Sequence, residues 1–191
     1  MTNYITVTIA PSVAAFIGDT TLGAAPLTVN FTDQSTESIT SRSWSFGDGG
    51  TSTEQNPSHQ YTTADTYTVS LTVTGPGGTD AETKTDYITV NPGALDHVTL
   101  TPDYVFIQTS AQQQFSAVAY DQYNNPISGL SYGWSVVNGG GTIDGNGLFT
   151  AGGARGTFLS TVQVEVSDNG TTKQDTATVA IGAAMTGTVE L

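Results

Sequence analysis

"WSFGDGG", Trp44 to Gly50, decides how this chain folds, because it admits three readings. A glycine-rich loop bearing one aspartate can cradle a phosphate, hold a cation, or turn the chain at the corner of a β-sheet. A phosphate loop needs the lysine and hydroxyl of G-x-x-x-x-G-K-[ST] and a following helix whose N-terminus faces the anion. No such lysine or helix follows here, and a carboxylate at Asp48 would repel phosphate. A turn accounts for every position. Gly47 and Gly49 take backbone angles closed to other residues, and Asp48 accepts hydrogen bonds from turn amides. Trp44 and Phe46, two residues apart on the incoming strand, then share the face that fills a core.

Outward from this corner, alternation with period two recurs and helical spacing is nearly absent. "LTVNFTD" (27–33) puts Leu27, Val29 and Phe31 on one face, and "TYTVSLTV" (66–73) does the same with Tyr67, Val69, Leu71 and Val73. "GPGG" (75–78) is a hairpin signal from which the chain returns through "AETKTDYITV" (81–90). A second set of strands follows "NPGALD" (91–96). It contains "HVTLTP", "YVFIQTS", "QQFSAVAYD" (113–121) with Phe115, Ala117 and Ala119 alternating, and "YGWSVV" with Trp134. "TVQVEVSDNGTTKQDTATVAI" (161–181) reads as a hairpin around Asn169-Gly170, a pair suited to the positive φ angles of a type I′ turn. Each set has one tryptophan, expected on a middle strand as a core plug. The pattern predicts an all-β chain of two tandem β-sandwiches. The expected boundaries are an N-terminal strand or linker stub at 1–9, a first domain at 10–91, a linker at 92–96, a second domain at 97–182 and a tail at 183–191. "NYITV" (3–7) nearly repeats "DYITV" (86–90), the closing strand of the first domain, and so reads as the closing strand of a preceding one.

The 191 residues carry 17 acidic and 4 basic side chains, a formal net charge of −13, with no cysteine and two histidines. Arg42, Lys84, Arg155 and Lys173 stand far apart, without the cationic cluster that phosphate backbones require, so nucleic acid is not an expected partner. Anionic membranes are disfavoured for the same reason, and no apolar run is long enough to span a bilayer. The N-terminus has neither a basic region nor an unbroken apolar core, so it does not read as a signal peptide.

"APLTVNFTDQS" (25–35), "WSFGDGG" (44–50), "NPSHQY" (56–61) and "YTVSLTV" (67–73) together resemble a PKD (polycystic kidney disease) domain over most of 10–91. The motif positions are Trp44, Phe46, Gly47, Asp48, Gly49, Pro57, His59 and Tyr61. One departure is Asp65-Thr66, where that family usually has a glycine; it touches only the local turn. The second half resembles a bacterial Ig-like domain of the group 2 type. The supporting stretches are "VTLTP" (98–102), "QQFSAVAYDQYNNPI" (113–127), "WSVVNGGGTIDGNGLFTAG" (134–152) and "TATVAI" (176–181). The resemblances imply two immunoglobulin-like sandwiches that serve as non-catalytic spacers and binding modules on surfaces. They also imply calcium binding in some PKD domains.

Each chemical reading competes with a plainer one. Asp33, Asp48 and Asp144 are the candidate calcium ligands, but no D-x-D-x-D-G loop joins them and solvated turn carboxylates are the favoured reading. No cofactor is therefore expected. His59 in "NPSHQY" is read as a hydrogen-bonded turn residue, and His97 as a strand residue near the linker. Two histidines without cysteine do not make a structural zinc site. No G-x-S-x-G elbow is present, and enzymatic activity is not expected. Tyr104, Tyr120, Tyr123 and Tyr132 are candidate sugar-stacking residues. Tyr123 is the one expected to be exposed, with packing favoured for the other three. Asn30 and Asn169 head glycosylation sequons, which matter only in a glycosylating host.

The resulting expectation is a non-catalytic structural or binding protein on an exposed outer surface. Its first reading is decoration of an assembled particle, a virion capsid or tail, through stabilisation or weak adhesion. Protein partners would be reached through 183–191, whose last residues alternate and could add a strand to a neighbour. The alternative is a spacer and adhesion module pair cut from a large bacterial or archaeal cell-surface or secreted protein, with carbohydrate as a candidate ligand.

Overall fold

The structure, a computed structural model, describes residues 9–183. The repeat at 3–7 and the tail beyond Ala183 fall outside the described residues. The chain is all-β, and it divides at Gly93 and Ala94 into two compact units, each with its own core.

In the first unit, β1 (Phe16–Gly18), β3 (Leu27–Asp33) and β6 (Ser58–Tyr61) form one sheet, in the order β1-β3-β6. The second sheet runs β2 (Leu22–Ala24), β8 (Gly78–Asn91), β7 (Thr66–Gly75), β4 (Ser41–Ser45) and β5 (Thr51–Ser52). β7 and β8 make the hairpin expected at "GPGG", with Gly75 paired to Gly78. Alternation sets the faces. Val29 and Phe31 on β3 and Val69, Leu71 and Val73 on β7 are buried, while their polar neighbours turn outward. Phe16 meets Trp44 edge-on at 5.2 Å, and Phe31 stacks with Phe46 at 5.3 Å, so the core of this sandwich is largely aromatic.

One edge of the first sheet is closed by side chains instead of a strand. The amides of Ala14, Phe16 and Gly18 donate to Asp80, Glu82 and the Tyr87 hydroxyl, at 2.8, 2.8 and 2.9 Å. Lys84 donates to the Phe16 carbonyl at 2.6 Å, and its ammonium lies 4.8 Å from the centre of the Phe16 ring.

In the second unit, β9 (His97–Thr101), β12 (Ser116–Tyr120) and β13 (Pro126–Ile127) form one antiparallel sheet. β11 (Gln112–Gln114), β15 (Gly141–Ile143) and β16 (Leu148–Ala151) form a small second one. The largest has the order β10-β18-β17-β14, from β10 (Tyr104–Gln108), β14 (Tyr132–Val136), β17 (Gly156–Asp168) and β18 (Thr171–Gly182). β17 and β18 are the expected terminal hairpin, and Asn169 and Gly170 both take positive φ. Leu95, inside the stretch expected as linker, is buried in the second core. Trp134 departs from expectation. β14 is an edge strand, not a middle one, and the indole is only partly buried. Phe149, Phe115, Val162 and Val164 fill the centre instead.

Candidate functional site

The motif residues converge at one corner of the first unit. Trp44, 1% exposed, ends its indole N–H on the Glu54 carbonyl at 2.9 Å. The turn then closes on itself, with the Phe46 amide donating to the Gly50 carbonyl at 3.1 Å. Gly47 and Gly49 have φ angles of +91° and +93°, the region that favours glycine. Asp48 Oδ1 accepts the Gly50 amide at 2.9 Å, and its Oδ2 lies 2.7 Å from His59 Nε2. His59 is on strand β6, not in the turn expected for it. Its ring stacks on Phe46 at 4.1 Å and meets Tyr61 edge-on at 4.7 Å. Pro57 is buried just upstream, and its carbonyl accepts the Phe31 amide at 2.8 Å. Tyr61, fully buried, donates its hydroxyl to the Phe46 carbonyl at 3.0 Å, which ties β6 to the turn across the sandwich.

The electrostatics of the corner follow from these contacts. Burial alone would raise the Asp48 pKa, but hydrogen bonds from His59 and the Gly50 amide, with the imidazole's charge, hold it below the ordinary carboxylate value. Burial pushes the Tyr61 hydroxyl well above its ordinary value, with the negative charge of Asp48 adding to the shift. The phenol stays protonated and remains a donor. An Asp–His pair can serve a nucleophile, but this imidazole is packed between Phe46 and Tyr61, and no serine or threonine hydroxyl bonds to it among the described residues. The corner is a structural lock between the two sheets.

The three calcium candidates do not meet. Asp33 ion-pairs with Arg42 at 2.5 Å and accepts the Ser35 amide. Asp144 accepts the amides of Asn146 and Leu148 in its own turn. Among the described residues no three His, Cys, Asp or Glu side chains are grouped as metal ligands.

The tyrosines of the second unit separate differently from expectation. Tyr123 is 38% exposed, on a loop held by Asp121, whose Oδ1 accepts the Tyr123 and Asn125 amides. Tyr132 accepts the Ala119 amide through its hydroxyl, and Tyr120 stacks on His97 at 5.2 Å. Tyr104, expected to pack, is 55% exposed, and Phe106 beside it on β10 is 63% exposed. "YVFI" is apolar on both faces, so alternation could not say which side met water.

The fold and this corner define a tandem pair of immunoglobulin-like β-sandwiches. The PKD domain model matches residues 9–90, and that segment of the chain is a PKD domain. Among curated proteins it is 42% identical over 74 residues to the pre-pro-metalloprotease PrtV of Vibrio cholerae, covering 38% of this chain and 8% of that protein. It is 52% identical over 42 residues to collagenase ColA of Bacillus cereus, covering 22% of this chain and 4% of the relative. The chain thus spans under a tenth of either relative, and the match to PrtV has the length of one module. Among solved structures, the PKD1 domain of the PrtV metalloprotease is 38% identical, covering 42% of this chain and 98% of that domain, with a TM-score of 0.37. Domains of these kinds are typically non-catalytic modules, and the likeness to the proteases is confined to the PKD region.

Proposed function

We propose that this chain is a non-catalytic spacer and adhesion module pair of an extracellular or cell-surface protein. One observation carries the reading. The PKD segment at 9–90 resembles a domain of larger proteases, and its motif residues are consumed in locking two sheets together. Exposed strands and loops are what each sandwich offers to partners. Particle decoration, the first reading from sequence, receives no support from PrtV or ColA, which are proteases.

Two measurements test the proposal together. Purified chain incubated with casein, gelatin and insoluble polysaccharides should release no product, and single-molecule stretching should show two separate unfolding events, one per sandwich. Sustained turnover on any of these polymers would overturn the non-catalytic reading. A chain that extends at the lowest forces without resolved events would overturn the spacer role.

A further inference from the structure

Strand β10 is the outer strand of the four-stranded sheet, and among the described residues no strand pairs with its far edge. Its near edge runs parallel to β18, with the Asp103 carbonyl accepting the Thr178 amide at 2.8 Å and the Thr109 amide donating to Gly182 at 3.2 Å. In a parallel ladder alternate residues bond to the partner. Residues 103, 105, 107 and 109 therefore face β18, and Tyr104 and Phe106 aim their amides and carbonyls away from the sheet. Their side chains are exposed as well, while Val105 and Ile107 pack inward. Edge strands are ordinarily guarded by charge, proline or a covering element. Other edges here are short or guarded: β13 contains Pro126, β2 spans three residues, and β1 is clasped by Asp80, Glu82 and Lys84. β14, the opposite edge of the same sheet, turns Gly133 and Ser135 outward. β10 has none of these guards and no charged residue along its length.

We propose that β10 is a self-association edge, pairing antiparallel with β10 of a second copy of this chain about a two-fold axis at Phe106. The edge is self-complementary in that register. Phe106 faces its own counterpart and the two exchange both backbone hydrogen bonds, while each Tyr104 stands opposite the other chain's Gln108. The aromatic rings lie on one face of the joined sheet, as cross-strand pairs do. A chain of net charge −13 repels its copies, and β10 itself adds no charge to that repulsion. Five residues a side make a contact smaller than a standard interface, so the association is weak and suited to copies crowded on one surface.

Sedimentation velocity of the whole chain tests this, between about 0.02 and 1 mM, the range expected for a sub-standard interface. The weight-average sedimentation coefficient should rise towards a dimer, and rise further in 0.5 M than in 0.05 M salt, where the Debye length is roughly threefold shorter. Phe106→Lys should remain monomeric throughout, and Phe106→Thr should associate several-fold more weakly. Both should keep the circular dichroism of the parent, since the ring they replace is exposed. A parent chain that stays monomeric at the highest concentration overturns the proposal, as does a dimer that persists unchanged in Phe106→Lys.

Discussion

Gly47 and Gly49 share a positive φ, but the space around them differs. A Cβ on Gly47 would sit 2.6 Å from the Thr68 carbonyl oxygen, whereas nothing lies within 4 Å of one on Gly49. Gly49→Ala should therefore cost only the left-handed backbone penalty, about 1–2 kcal/mol, and Gly47→Ala clearly more, because backbone must move. Chemical denaturation of both variants checks the order, and equal losses would contradict it. Asp48 contributes in a different way. Its folded pKa lies below the ordinary value, so its contribution to stability is present above that value and is lost as pH falls through the folded one. Asp48→Asn should flatten part of the stability loss as pH falls below about 4, the ordinary carboxylate value, measured by denaturant midpoints across the acid range. Asp33, held low by hydrogen bonds from Ser35 and Arg42, and Asp19, held low by Asn30, should keep further parts of the acid limb. An unchanged slope in Asp48→Asn would show that the His59 contact carries no such linkage.

At the scale of elements, alternation and turn residues were legible because they are local. The faces of β3 and β7, the glycine turn after Phe46 and the hairpin at Asn169-Gly170 all follow from residues within a few positions. The clasp on β1 was not legible, since it joins Ala14, Phe16 and Gly18 to side chains more than 60 positions away. Lys84 looked like an isolated surface cation in the sequence. In the fold it donates to a backbone carbonyl and lies over two aromatic rings, 4.8 and 5.0 Å from their centres. Lys84→Met keeps most of the aliphatic stem and removes the donor, leaving the Phe16 carbonyl without that partner. The expected loss is about 1–2 kcal/mol, read as a shift in denaturant midpoint with unchanged m-value. A neutral result would mean that water replaces the ammonium at that edge.

For the whole molecule, a linker of Pro and Gly residues and two sets of strands pointed to two cores, and two separate buried clusters are present. The parallel pairings of β2 with β8 and of β10 with β18 were beyond reach, because each joins segments more than 60 residues apart with no local turn to announce it. The edge position of Trp134 was hidden likewise, because only the pairing of β14 with β17, about 30 positions on, makes β14 an edge. Separate cores carry a consequence for folding. Fragments 9–93 and 94–183 should each give a cooperative unfolding transition, since no residue of either buried cluster comes from the other unit. In the whole chain, Phe149→Ala removes a fully buried ring from the second core, where large-to-small changes cost about 3–5 kcal/mol. Hydrogen exchange should then show protection falling across β14 to β18 while the amides of β7 and β8 keep theirs. A loss of protection spread evenly over both halves would mean that the two sandwiches unfold as one unit and that each core depends on the other.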